Sequence, residues 1–193
     1  MKKSIKKIIK SSIAVKTAIV NDEQMVSLIE SAVEVITNAF KNNKKVFFCG
    51  NGGSAADAQH LAAEFSGRFY IDRKPLPAEA LHCNSSYLTA VANDYSYDLI
   101  YARLVEGFAN EGDILVGLST SGNSSNVVKA FEKAREKKVL TIGFTGDTGG
   151  KIKELSDFLF NVPSTDTPRI QESHIMIGHI ICELVEKNLF CEK

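Results

Sequence analysis

No stretch of this 193-residue chain is long and apolar enough to span a bilayer, and its four cysteines form no C-x-x-C pair. The first absence removes a transmembrane helix. The second, with Cys49, Cys83, Cys182 and Cys191 widely spaced and mostly in apolar runs, argues against a zinc ribbon or a disulfide framework. A reducing compartment fits, and the cytoplasm is the expected location. An excess of charge is missing as well: 23 Lys+Arg balance 23 Asp+Glu. With zero formal net charge, nothing drives the broad counterion release of nucleic-acid binding. The basic start, Met1 to Lys10, lacks an uninterrupted apolar core because lysines recur at Lys6, Lys7, Lys10 and Lys16. It therefore does not read as a secretory signal. Linkers, internal repeats and low-complexity segments are also lacking, so one domain over residues 1–193 is expected.

What is present is a change of period along the chain. Ile5, Ile8, Ile9 and Ile13 follow helical spacing, and so do Met25, Ile29, Val33, Ile36 and Phe40. These predict two N-terminal helices within residues 1–43, the first amphipathic and suited to packing against a partner subunit or the domain's own core. Short apolar runs at Lys45–Cys49, Ile114–Leu118 and Val139–Phe144, with a weaker one at Phe158–Phe160, then read as buried strands. Helical stretches separate or follow them at Ala55–Arg68, Asn126–Lys137 and Pro168–Leu189. The alternation predicts an α/β fold, a three-layer sandwich with a mostly parallel central sheet, preceded by the N-terminal helices.

Two loops rich in glycine and serine follow the first two of those strands: Gly50-Asn51-Gly52-Gly53-Ser54 and Ser119-Thr120-Ser121-Gly122-Asn123-Ser124. A strand that ends in such a loop and opens a helix presents free N–H groups and the positive end of the helix dipole to a single point. Hydroxyls add donors without charge. An anionic ligand, most simply a phosphate ester, is implied. Gly50-x-Gly52-x-x-Ala55 also satisfies the loose dinucleotide fingerprint. The acid expected about 20 residues on to hold a ribose is missing, however. The next strand expected, Ala78–Cys83, ends in His-Cys-Asn, and there is no nucleotide P-loop. Tight turns alone would explain one such loop more easily than two. A third Gly/Thr-rich piece, Phe144–Gly150, lacks the serine cluster and reads as a connection.

His60 and Glu64 lie four apart on the helix opened by the first loop, so they share a face. Imidazole nitrogen and carboxylate oxygen at that spacing suit one divalent metal, although a solvated surface pair has the same spacing. The last helix carries Arg169-Ile170-Gln171-Glu172, His174 and His179, with Thr165, Asp166 and Thr167 as possible caps and Pro168 at its start. Gln171 and His179 stand in apolar company and need partners. Taken alone, His179 reads as a satisfied core histidine.

The segment from Cys49 to Glu64, CGNGGSAADAQHLAAE, resembles the first signature of the phosphoheptose isomerases of the sugar-isomerase (SIS) superfamily. The likeness continues through Ala92-Asn93-Asp94, through Ser119–Ser124, and through Arg169–Glu172 with His179, in order over nearly the whole chain. It implies a SIS-type, flavodoxin-like fold and a homotetramer with active sites at subunit contacts. Ser119, Thr120, Ser121 and Ser124 would hold the phosphate. Asn51, Gly52, Gly53, Asn93 and Asp94 would contact the sugar, with Ser54 and Arg68 in support and Glu64 and Gln171 also touching substrate. One zinc ion per subunit would be bound by His60, Glu64, Gln171 and His179, and Glu64 and His179 would be catalytic.

The implied reaction converts sedoheptulose 7-phosphate to D-glycero-D-manno-heptose 7-phosphate through an enediol-type intermediate, the first step of nucleotide-activated heptose biosynthesis for lipopolysaccharide or capsule. A non-catalytic SIS protein that binds sugar phosphates or a replication initiator is the alternative, and it predicts a broken metal and acid–base set. One geometric question stays open. Gln171 and His179 are about 12 Å apart along a straight helix. Either their side chains converge, or the helix bends near Gly178, or the two residues serve different subunits.

Overall fold

The computed structural model describes residues 1–191, so the last two positions of the expected 1–193 domain lie outside the described residues. The apolar runs form five strands: β1 (Val46–Gly50), β2 (Ala78–Ala80), β3 (Ile114–Leu118), β4 (Leu140–Thr145) and β5 (Phe158–Asn161). Every pairing is parallel, in the order β2-β1-β3-β4-β5. This is the flavodoxin-like order, and the sheet expected to be mostly parallel is wholly so. The helices are α1 (Lys2–Val20), α2 (Glu23–Lys41), α3 (Gly53–Ser66), α4 (Ser85–Asp94), α5 (Ile100–Phe108), α6 (Ser125–Glu136) and α7 (Thr167–Phe190).

Strand parity divides the core into two layers, because successive side chains point to opposite faces. Val46, Phe48, Ile114, Val116, Leu118, Ile142, Phe144 and Phe160 pack with buried residues of α1, α2, α3 and α7. Phe47, Cys49 and Leu115 face the other way, against α4, α5 and α6. Both faces are covered, so β1 and β3 are buried along their whole length and read as unbroken apolar runs. Burial also pushes the Cys49 and Cys182 thiols well above their ordinary pKa, leaving them as inert core filler.

The strand expected over Ala78–Cys83 stops at Ala80, because after Leu81 N–H donates to Phe48 O (2.9 Å) the chain turns into Asn84. Asn84 then caps α4 through Tyr87 N–H (3.0 Å). Neither α4 nor α5 was expected; at 10 and 9 residues they are too short for periodicity to stand out.

On α7, His174 is fully buried, and its Nε2–H donates to Thr145 O at 3.0 Å while Nδ1 has no partner. Burial lowers its pKa to about 4; the Thr145 bond works in the opposite direction and is outweighed. The unfolded chain therefore takes up the proton first as pH falls. The stability this group contributes is complete above its unfolded pKa of about 6.5 and is lost as pH falls toward 4. Urea unfolding is expected to show a loss of about 2–3 kcal/mol between pH 7.5 and 4.5 from this residue. His174→Asn should flatten that part of the profile, and an unchanged slope would contradict the assignment.

Candidate active site

The order of the strands reverses between β1 and β3. The helices that follow them, α3 and α6, pass to opposite faces and open a crevice at the carboxyl ends of the two strands. Both glycine-serine loops lie there. In the first, Gly52 has φ +55 at the N-cap of α3, and the Ser54 and Ala55 N–H groups fold back on Asn51 O and Gly52 O. Ser54 is buried in the first turn of α3. In the second, Ser124 is the N-cap of α6, and its hydroxyl lies 3.0 Å from that of Ser119, which is buried. Ser121 Oγ accepts from Asn123 N–H at 3.1 Å, which tightens the turn.

The two loops are tied together by a pair of amides. Asn51 Nδ2–H donates to Asn126 Oδ1 (2.8 Å), and Asn126 Nδ2–H donates to Asn51 Oδ1 (2.9 Å). Tyr97 O–H adds a third bond to Asn51 Oδ1 at 3.0 Å. The Asn51 side chain, expected on the sugar, is thus engaged in joining β1's loop to α6. Asn126 and Tyr97 escaped sequence reading; an asparagine in the first turn of a helix was the one available signal. The piece at 144–150 is more than a connection. Gly146 N–H donates to Thr120 O (2.9 Å), Ile152 N–H to Gly122 O (3.1 Å) and Lys151 N–H to Asn123 Oδ1 (3.1 Å), so it buttresses the serine loop from behind.

Further along α3, Ala58, Leu61, Ala62 and Phe65 are buried, while His60 and Glu64 lie on the more open side. Gly178 lets α7 come close: a Cβ there would stand 2.6 Å from the Leu61 methyls. The next residue, His179, consequently meets His60, with their Nε2 atoms 3.1 Å apart. His60 Nε2 is also 3.0 Å from Glu64 Oε1. One ligand atom from each of the three residues lies within 4.8 Å of the others.

As a purely hydrogen-bonded cluster this is poorly satisfied. A single N–H on His60 would have to fork between two acceptors, and a lone pair there would leave Glu64 facing another acceptor. A cation at the centre satisfies all three. Nitrogen and oxygen ligands about 2.0–2.1 Å from a tetrahedral ion stand roughly 3.3 Å from one another, close to the spacings found here. Burial lowers the His179 pKa, His60 adds to the effect, and Glu64 opposes it. The net direction favours the neutral imidazole that ligates a metal.

Other expected residues fall elsewhere. Gly178 does not interrupt the helix; α7 runs unbroken from Thr167 to Phe190. The Gln171 amide lies against Gly53, where a Cβ would stand 2.7 Å from Nε2, about 10 Å along α3 from His60. Asn93 and Asp94 are exposed at the end of α4 and bonded to each other at 2.9 Å. Arg68 is exposed just beyond α3. Arg169 and Glu172, 2.6 Å apart, dock α1: Arg169 donates to Ile8 O and Ser11 Oγ, and Glu172 accepts from Ser12 O–H.

A model of the SIS domain family matches residues 9–146. The phosphoheptose isomerase of Clostridium acetobutylicum is 57% identical over 193 residues, covering 100% of this chain and 98% of that relative. The phosphoheptose isomerase of Aneurinibacillus thermoaerophilus is 52% identical, over 98% of this chain and 96% of its own. Among solved structures, the phosphoheptose isomerase of Neisseria gonorrhoeae superposes with a TM-score of 0.90 at 39% identity, covering 96% of this chain and 98% of that one. On fold, sequence and full-length correspondence, the chain belongs to the SIS domain family and, within it, to the phosphoheptose isomerases.

Proposed function

We propose that the chain interconverts sedoheptulose 7-phosphate and D-glycero-D-manno-heptose 7-phosphate, an aldose–ketose isomerisation at the head of heptose biosynthesis. The convergence of His60, Glu64 and His179 carries this reading, because it brings an acid–base group of α7 onto the helix that leaves the phosphate crevice.

The task is to move a proton between neighbouring carbons next to a carbonyl. The Glu64 carboxylate takes the C1 proton of the ketose as the C2 carbonyl oxygen takes up a proton, giving an enediol; His179 then delivers a proton to C2 as the C1 hydroxyl gives up its own, and exchange with solvent resets both side chains. Ser119, Thr120, Ser121 and Ser124, with the N-terminus of α6, grip the phosphate and fix the far end of the sugar. Gly52, Gly53, Ser54, Asn93 and Asp94 line the path between, with Asn51 holding the two loops in register. A divalent cation, zinc in our reading, would be held by His60, Glu64 and His179 and would polarise the carbonyl and hydroxyl oxygens of the reacting end. Gln171 stands too far along a straight α7 to join His179 of its own chain, so we assign it to substrate and to the centre of a neighbouring copy.

That assignment asks for a homotetramer with residues 1–43 at its contacts and the single domain spanning 1–193. Its support is the exposed stripe of Ile5, Ile8, Ile9 and Ile13 on α1, and an apolar groove of about 840 Å³ between α1, α2 and α7. No helix among the described residues is long and apolar enough to cross a membrane, in keeping with a cytoplasmic site of action.

The direct test follows zinc-loaded protein with sedoheptulose 7-phosphate by NMR in deuterated water. Aldose should accumulate with deuterium at C2. Tight sugar-phosphate binding without turnover would sink the isomerase reading. Removal of the metal by a chelator is expected to abolish turnover and to lower Tm, and added zinc should restore both. At a free metal concentration about 100 times Kd the stabilisation is about 2.7 kcal/mol, which calorimetry resolves.

A further inference from the structure

One buried ion pair touches both helices that carry the reacting side chains. Arg73, from the segment between α3 and β2, meets Glu186 of α7 at 3.0 Å, and each side chain is 2% exposed. Arg73 donates through Nη2 to Glu64 O (2.7 Å) and through Nη1 to Phe65 O (2.7 Å), Gly67 O (3.0 Å) and Lys74 O (3.1 Å). The first two are carbonyls from the last turn of α3, which the helix itself leaves without partners, and the third belongs to its C-cap. A cation there also complements the helix dipole.

Glu186 does the same for the neighbouring loop. Its carboxylate accepts from the N–H groups of Phe69 (3.1 Å), Tyr70 (2.7 Å) and Ile71 (3.0 Å), as well as from Arg73 Nε–H. Burial alone would raise this carboxyl's pKa; the three N–H groups and Arg73 outweigh it and hold it below the ordinary value. Phe69, fixed in this way, sets its ring 5.7 Å from that of His179. Glu186 itself stands two turns beyond His179 on the same helix.

We propose that the Arg73–Glu186 pair is a positioning pair for the reacting centre, locking the end of α3 to α7 so that Glu64 and His60 face His179. This inference rests on the reading of those three residues as a metal and proton-transfer centre. Stability alone is a poor explanation of the pair, since apolar residues of similar volume often replace a buried ion pair at no cost. What they lack is direction. The fan of bonds from Arg73 fixes where the backbone of Glu64 stands relative to α7, and second-layer contacts of this kind commonly tune metal affinity.

The test uses Arg73→Met/Glu186→Leu, which removes both charges and leaves neither stranded. The probe is cobalt(II) titrated into the metal-free chain and read by its visible absorption, with zinc-loaded kinetics on sedoheptulose 7-phosphate beside it. Phe131→Leu, buried on the other face of the sheet, is the control for lost stability alone. Cobalt affinity and kcat are each expected to fall about 10–100-fold in the double variant. KM should stay within about threefold, because the hydroxyl loop is untouched. Cobalt affinity and kcat within about twofold of the parent, or an equal loss in Phe131→Leu, would overturn the proposal. Should the double variant not fold, Glu186→Gln is read by the same titration against the same thresholds. The titration needs no substrate, so a parent chain that binds cobalt without turning over the sugar overturns the isomerase while the cobalt thresholds still decide the clamp. A parent that binds no cobalt overturns the clamp as well.

Discussion

Glu64→Gln is expected to lower kcat by about 10³-fold or more while sugar-phosphate binding survives. The substitution keeps the volume of the side chain and one carbonyl oxygen. It removes the group proposed to accept the substrate's proton. The serine loop proposed to hold the phosphate follows β3, away from the last turn of α3, so KM should change little. Glu64 Oε1 also stands 3.0 Å from His60 Nε2, and the amide will weaken any cation held there. Measuring kcat at saturating zinc separates the two effects, because a lost ligand is overcome by metal concentration and a lost base is not. Deuterium exchange at C1 of the ketose gives a second readout, and it should stop in the variant. Turnover restored fully by excess metal would reduce Glu64 to a ligand and move the base elsewhere.

The layered fold was legible because both faces of the sheet are covered. Val46–Gly50 and Ile114–Leu118 are buried at every position, and such runs stand out from helical periods even without alternation. The candidate metal trio was half legible. The spacing of His60 and Glu64 puts them on one face of a helix, which any sequence shows. That His179 joins them depends on Gly178 lying against Leu61, a tertiary contact with no local signature. The resemblance supplied His179; periodicity would have left it in the core. Arg169 and Glu172 illustrate the opposite case. They sit within a motif segment, yet their side chains dock α1 instead of lining the crevice. The buttress at 146–152 was missed for a third reason: its donors are backbone N–H groups, which no side-chain pattern advertises.

That buttress sets up the second large effect. Gly122, in the serine loop, has φ +66, and a Cβ added there would overlap the Gly149 carbonyl and come within 2.9 Å of Gly150 Cα. Both obstacles are backbone, so no rotamer change relieves them. Gly149 and Gly150 themselves hold φ +74 and +55, which fixes the opposing loop in place. Gly122→Ala is therefore expected to cost about 3 kcal/mol or more, the left-handed backbone and the overlap adding together. In the surviving folded fraction the loop must lift off Ile152 N–H and Gly146 N–H, carrying Thr120 and Ser121 out of position. Sugar-phosphate affinity should then fall more than tenfold, roughly the loss of one or two charge-assisted hydrogen bonds. Gly52→Ala is the comparison. Its φ of +55 is equally unusual, but nothing lies within 4 Å of the added Cβ, so only the backbone strain of about 1–2 kcal/mol applies. Urea unfolding of both variants, with inorganic phosphate protection measured alongside, tells the two contributions apart. Equal losses at Gly52 and Gly122 would mean that backbone conformation alone matters, and that the 145–150 loop lends the phosphate grip no support.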